Sequence, residues 1–292
     1  MDIRSLSCFL VVAEEFHFRR AAQRLNLTQP SLSQRIRRLE QEIGAELFER
    51  DRRHVALTAA GQAFVEPARQ AVASAQAAKA LALRAARGQA GHLRLGFTVI
   101  AFYGILPEAV RLFRTRYRDV EVDLVEMNSP LLEAALLAGE IDLGVVHPPL
   151  ETPGLGMQSL ADQPLVLAVP AGHPLAAKAA VSVCDLADEP FLVAPRVIGP
   201  SLYDRIIALF RDAEVSPNIV QEVSPMTTLT GLVATGAGMG FVTAGVATAP
   251  RPGVAFRPVE PEPPSVPMAA AWHGSEPSPT ARRFLELVGE LG

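Results

Sequence analysis

Cysteine is nearly absent: Cys8 and Cys184 are the only two in 292 residues, and they stand far apart. Two such residues make neither a disulfide framework nor a metal-ligand spacing, so both are expected as reduced, buried thiols. Long hydrophobic runs are lacking too, and no stretch approaches a membrane span. The opening, MDIRSLSCFLVVAEE, is too acidic and its apolar run too short for an export signal. A cytoplasmic chain with no membrane partner is expected. Groups that do chemistry are sparse. The six histidines are scattered and mostly adjoin Pro or Gly. No Ser/His/Asp set, metal-ligand spacing or phosphate loop stands out, so neither catalysis nor a cofactor is expected. GAGMG at 236–240 has Phe241 where a dinucleotide fingerprint needs its third glycine, and it lies between a helix and a strand in the wrong order. It reads as a tight turn.

What is present suits a globular protein. Apolar residues make up 49% and charged residues 20%, and the length allows two or three units with real cores. The net charge of −4 conceals an asymmetry. Residues 1–90 carry 14 Lys and Arg against 9 Asp and Glu, and the remainder 13 against 22. A basic head on an acidic body suggests that only the head meets a polyanion.

Within that head, residues 18–43 read as two short helices joined by a tight turn. The first covers roughly Phe18 to Leu25, Asn26 and Leu27 form the turn, and Thr28 is a natural N-cap with Pro30 in the first turn behind it. Leu32, Ile36, Leu39 and Ile43 recur at helical spacing and form the inner stripe. The other face carries Gln29, Pro30, Ser33, Gln34 and Arg37, flanked by Arg35 and Arg38. Gln, Ser and Arg on one face can reach base edges in a major groove while flanking Arg hold phosphates, which is the logic of a helix-turn-helix with 29–42 as recognition helix. A solvated basic hairpin would show the same periodicity. Residues 47–61 favour DNA. In LFERDRRHVALTAAG, Arg50, Arg52, Arg53 and His54 lie between apolar anchors, as in a β-ribbon wing with a basic tip.

A helix is expected over 2–15, with Leu6, Phe9, Leu10 and Ala13 inside and Phe16 and Phe18 plugging its join to the next. Thr58 is expected to cap a long alanine-rich helix to about Arg87. Phe64, Ala68, Ala71, Val72, Ala75, Ala78 and Leu81 fall near heptad spacing there, as for a dimerising linker bent at Pro67. Beyond Gly88 and Gly91 the pattern changes to alternating strands and helices. HLRLGFT, VEVDLVEM and IDLGVV are strands, with helices near 103–117 and from Ser129 to Gly139, giving a parallel sheet with helices on its faces. A second unit starts near Pro164 with LVLAVP, FLVAP, SLYDRIIALFRDA, a helix opened by Ser224 and Pro225, and GFVTA. The proline-rich 257–267 reads as a crossover back to AAAWH and a terminal helix.

The chain resembles a LysR-type transcriptional regulator over its whole length. The carrying residues are FLVVAEEFHFRRAAQRLNLTQPSLSQRIRRLEQEIGAELFERDRRHVALTAAG, then LAGEIDLGVV and LVATGAGMGFV. The resemblance implies a multidomain α plus α/β protein. It would have a winged helix-turn-helix over 1–58 and a linker helix over 59–89 that dimerises. A two-lobed effector domain over 90–292, similar to periplasmic solute-binding proteins, would complete it. Lobe I would take about 90–162 and 268–292, lobe II about 163–267. Such regulators usually form homotetramers, and RNA polymerase is a further partner of this kind of protein. One departure is local: His17, Arg19 and Arg20 stand where members often have smaller residues.

Residues and resemblance agree on double-stranded DNA, as an interrupted palindrome. Thr28, Gln29, Pro30, Ser31, Ser33, Gln34 and Arg37 are candidates in or beside the groove, and Arg19, Arg35, Arg38, Arg50 and Arg53 for phosphate or wing contacts. Arg50 has a competing role, bracing the wing on the recognition helix. For the effector, ligands of α/β lobes gather at the carboxyl ends of strands. Thr98 and Ile100 follow the first strand, and Ser129 follows the second at a helix N-terminus. Thr227 and Thr228 open another helix, and His147 and Arg196 are candidates for positive charge. Hydroxyls beside helix N-termini suit a small carboxylate, and family members that sense aromatic acids use the corresponding region in this way. A small organic or aromatic acid is the expected effector. The competing function is a solute-binding protein with an added helical module and no regulatory DNA binding; the basic head argues against it.

Overall fold

The computed structural model describes residues 1–50, 55–150, 152–249 and 251–291, the Arg50 side chain aside. The chain forms two compact units, Met1–Arg84 and Ala85–Gly292. In the first, the Asp2 carboxylate accepts from Ser5 N–H at 2.7 Å and so caps α1 (Ile3–Glu15). Phe16 ends that helix at φ +48° and is 50% exposed, so it does not plug the join. Phe18 is buried there, in contact with Phe48. His17 Nδ1 accepts from Arg20 N–H at 3.4 Å and caps α2 (Phe18–Arg24). The family departure at position 17 thus has a local role. Asn26, at φ +55°, makes the turn, and Thr28 Oγ1 accepts from Ser31 N–H to open α3 (Gln29–Ile43). Leu32, Ile36 and Leu39 are buried, but Ile43 is exposed, because the last turn of α3 runs past the core.

The wing strands β1 (Phe48–Arg50) and β2 (Val55–Leu57) pair antiparallel, Phe48 opposite Leu57. Glu40 on α3 accepts from Leu47 and Phe48 N–H at 3.0 and 3.3 Å, tying the wing's base to the recognition helix. Arg52, Arg53 and His54 lie outside the described residues. Thr58 Oγ1 accepts from Gly61 N–H at 2.9 Å and starts α4 (Ala59–Ala86). A Cβ at Gly61 would fall 2.0 Å from the Leu47 carbonyl oxygen, so only glycine lets α4 lie this close to the wing. The expected seam of α4 divides. Phe64, Ala68, Ala71 and Val72 pack on the head's own core, whereas Ala78 and Leu81 are exposed.

The second unit holds its described strands in one five-stranded sheet and three smaller ones. Its first part runs β3 (Ala90–Phe97), α5 (Val99–Phe102), α6 (Leu106–Arg116), β4 (Asp119–Glu126), α7 (Ser129–Leu137), β5 (Leu143–Val146) and β6 (Leu155–Gln163). The helix expected over 103–117 is α6, which starts at Leu106 just ahead of Pro107, and the short α5 before it is not expected from the sequence. The middle part runs β7 (Leu165–Pro170), β8 (Val181–Ser182), β9 (Pro190–Val193), α8 (Pro200–Asp212), β10 (Asn218–Glu222), α9 (Met226–Ala234), β11 (Gly240–Thr243), α10 (Ala244–Ala247), β12 (Val254–Arg257) and β13 (Val259–Glu260). β14 (Val266–His273) and α11 (Pro279–Leu291) return to the first sheet.

That sheet has the order β4-β3-β5-β14-β6. It is mixed rather than parallel: β4, β3 and β5 run together, while β14 is antiparallel to β5 and β6 antiparallel to β14. The returning strand enters from the far lobe, which reverses its direction. In the second lobe β7 sits between β11 and β12, antiparallel to both, and β9 pairs with β10 in parallel. The proline-rich segment read as a crossover supplies β13, paired with β8. Each lobe has its own apolar core, and Ile100 packs against both. At a second point of contact, a Cβ on Gly245 of α10 would fall 1.8 Å from the Tyr103 carbonyl oxygen.

Candidate functional site

The outer face of α3 is open. Thr28, Gln29, Pro30, Ser31, Gln34, Arg37 and Arg38 are exposed, and Ser33 and Arg35 half-buried. Burial of Leu32, Ile36 and Leu39 against α1 and α2 fixes the rotation of the helix, so the polar face has no alternative but to point outward. Among the described residues Arg19, Arg37 and Arg38 form no ion pair, whereas Arg20 and Arg24 are held by Glu15 and Glu14. The N-terminus of α3, with Thr28 as its cap, adds a positive dipole end on the same face. The arrangement is that of a helix free to enter a major groove, with cations along its edges that form no ion pair among the described residues.

The second unit contains a cavity of about 940 Å³ between its lobes. Of the residues singled out from sequence, Thr98, Ile100, Ser129 and His147 line it. Three do not. The Arg196 guanidinium is turned away and paired with Asp204 at 2.8 Å, which also holds the Asp204 carboxyl below its usual range. Thr227 and Thr228 sit one and two residues too far into α9, and Ser224, Pro225 and Met226 take the lining positions. Ser129 is not a cap: Asn128 Oδ1 accepts from Leu131 N–H at 3.1 Å and opens α7, leaving the Ser129 hydroxyl for the cavity. Sequence reasoning missed Glu126, Glu133, Thr152 and Ser201. Glu133 alone had a signal, standing one helical turn after Ser129.

His147 does not supply charge. Its Nδ1 lies 3.1 Å from the Pro267 carbonyl oxygen and its Nε2 2.7 Å from Thr98 Oγ1. A carbonyl can only accept, so Nδ1 carries the proton. Burial pushes the imidazole pKa down, only partly opposed by that hydrogen bond, and a neutral ring leaves Nε2 to accept from the Thr98 hydroxyl. The pair ties the first strand of one lobe to β14 and the crossover beside it.

Elsewhere the cavity wall is mostly apolar, from Val99, Met127, Leu137, Ile198 and Leu202 among others. The N-terminal turns of α7, α8 and α9 all reach it, α8 through Gly199, Pro200 and Ser201. No Lys or Arg is among the described lining residues. The described residues contain no group of three or more metal-ligating side chains and no helix long and apolar enough to cross a membrane.

Comparison with known proteins assigns both units. Residues 3–62 match the bacterial regulatory helix-turn-helix protein, lysR family, and residues 86–292 match the LysR substrate binding domain. The HTH-type transcriptional regulator AlsR of Bacillus subtilis (strain 168) is 43% identical over 83% of this chain and 80% of its own. The crystal structure of CbnR, a LysR family transcriptional regulator, aligns with a TM-score of 0.89 at 32% identity, covering 99% of this chain and 100% of that one. Full-length CbnR complexed with its target DNA aligns at 0.84 with 31% identity over 99% of both chains. The BenM effector binding domain with its effector benzoate aligns at 0.63 with 26% identity over 69% of this chain and 91% of that domain. These relatives are regulators of transcription, not enzymes, and with an open recognition face in one unit and a cleft in the other, the chain belongs to the LysR family: it is a DNA-binding transcriptional regulator with a small-molecule effector domain.

Proposed function

We propose that this regulator responds to a small organic or aromatic acid bound in the interlobe cavity. One observation carries the reading. Ser129, Ser201 and Ser224 meet the first turns of α7, α8 and α9 around a mostly apolar space, beside a Thr98 hydroxyl already donated to His147, which suits a carboxylate head on a compact body. BenM, whose effector domain holds benzoate, is a relative with this architecture. On the DNA side, Gln29, Ser33, Gln34 and Arg37 read bases with Thr28, Pro30 and Ser31 beside them, and Arg19, Arg35, Arg38, Arg50 and Arg53 hold phosphates. The protein works in the cytoplasm as a homodimer through α4, where Leu81 and Leu83 are 57% and 49% exposed in the single chain. Dimers pair into a tetramer on an interrupted palindrome, in reach of RNA polymerase.

Effector binding would shift a population between two assemblies, which requires a different affinity for each. Thermal unfolding of the full chain against a panel of small carboxylates tests the effector class. A ligand at about 100 times its Kd adds about 2.7 kcal/mol. A stabilising acid that loses its effect in Ser129→Ala and Ser224→Ala supports the reading. A panel without any stabilising acid refutes it.

A further inference from the structure

The charges around the cavity narrow the effector further, provided that the effector is an acid at all. Hydroxyls and helix N-termini can hold a carboxylate without a cation, and no Lys or Arg stands in the described wall. Here the two cationic candidates are gone, Arg196 to Asp204 and His147 to neutrality. Two carboxylates, Glu126 and Glu133, line the same space. Glu133 stands four residues after Ser129 on α7, so its side chain shares a face with the helix's N-terminal turn, about 5–6 Å away between Cβ atoms. Thr152 N–H and Oγ1–H both donate to Glu133 Oε2, at 3.1 and 2.5 Å. They fix the carboxylate's orientation, and Oε1 has no partner among the described residues. The carboxylate of Glu126, at the end of β4, is exposed and forms no hydrogen bond or ion pair among the described residues.

An anion with nothing else attached would meet two like charges here, half-buried Glu133 and exposed Glu126. A molecule that carries a cation close to its carboxylate would satisfy both halves of the wall at once. We propose that the effector is an amino acid: its carboxylate faces the hydroxyls and helix N-termini, and its ammonium group faces Glu133 and Glu126. The apolar remainder of the wall assigns the side chain. Val197 is 82% exposed, Leu137 41% and Ile198 39%, all at the cavity. A branched or aromatic side chain laid against them would remove that surface from water.

The test is a set of matched ligands titrated into the full-length protein by calorimetry. Leucine and phenylalanine carry both head groups. 4-Methylpentanoate and 3-phenylpropanoate keep only the carboxylate, and 3-methylbutylamine and 2-phenylethylamine only the amine. At least one amino acid is expected to bind tenfold or more tighter than both of its single-headed partners. Glu133→Gln and Glu126→Gln are expected to shrink that ratio toward one while leaving the des-amino acid's affinity unchanged or improved. Glu126→Gln breaks no contact among the described residues, so it guards against a folding artefact at Glu133. A des-amino acid that binds as tightly as its amino acid would overturn the proposal and leave the acid reading intact. An amine that matches the amino acid would overturn both, and no binding by any of the six would overturn the amino-acid proposal alone.

Discussion

The recognition face and the effector cavity both present hydroxyls at the first turn of a helix, yet they are built in opposite ways. The recognition face belongs to one helix. Leu32, Ile36 and Leu39 bury one side of α3, and the side-chain period then dictates where Gln29, Ser33 and Arg37 stand. The cavity draws on separated segments, including 98–100, 126–137, 147–152, 194–202, 223–226 and 266–267. None of these alone presents a site. A surface made by one helix keeps its geometry as long as that helix is seated, whereas a cavity made by two lobes exists only at the lobe separation that brings its parts together. Such a difference suits the two tasks, since the reader of DNA needs a fixed shape and the sensor needs one that ligand can alter.

Unseating the recognition helix tests this contrast most severely. Ile36 is fully buried, and Ile36→Ala should cost about 2–5 kcal/mol of the head's stability. Urea unfolding is expected to show a weakened transition for residues 1–84 and loss of operator binding, with effector affinity retained. If effector affinity falls in parallel, the two units are not independent. Smaller effects should separate the members of the recognition face. Gln29→Ala is expected to lose about 1–3 kcal/mol on the operator and little on random DNA. Arg38→Ala should weaken both alike and lower the salt slope of binding by about 0.9. Equal losses on operator and random DNA for Gln29→Ala would remove Gln29 from the reading set.

On the sensor side, Thr98→Val leaves His147 Nε2 without its donor in a buried place. It should cost the second unit about 1–3 kcal/mol in chemical denaturation. The same histidine gives a pH signature. Its pKa is lowered in the folded protein, so the unfolded chain binds the proton more readily, and stability is fully present above the ordinary histidine value of about 6.5. It is lost as pH falls from there through the folded pKa. Melting curves of His147→Gln should lack that part of the acid slope; an unchanged slope would show that His147 is not its source. The smallest effect is expected at Arg196→Ala. Its guanidinium pairs with Asp204 in solvent, so effector affinity should not change. A marked loss of affinity would bring Arg196 back to the cavity.

Legibility in the sequence divides along the same line. The turn at Asn26, the Thr28 cap and the buried stripe of α3 are set by neighbours within four residues, and they are legible because local spacing and local chemistry coincide there. Thr98, Ile100, Ser129 and His147 are also legible, because strand ends in α/β units point at clefts. Arg196 misleads because its partner Asp204 lies eight residues on, inside α8, and a surface pair and a ligand-binding cation look alike in sequence. Thr227 and Thr228 mislead because Pro225 itself occupies the cap and shifts the lining toward Ser224. Glu126 escapes notice because a carboxylate on a strand end reads as solvated until the opposite wall is known, and Glu133 is signalled only by its place one turn after Ser129.

The order of residues is enough to dictate the recognition helix, its cap, the basic head and the alternation of strands and helices. All of these rest on contacts short in chain distance, where periodicity and propensity act directly. Packing in three dimensions was needed to set the reversed strand β14, the division of α4 into a packed and an exposed half, the neutral state of His147, and which charges face the cavity. These depend on groups far apart in the chain, such as Thr98 with His147 and Pro267, whose meeting no local pattern encodes.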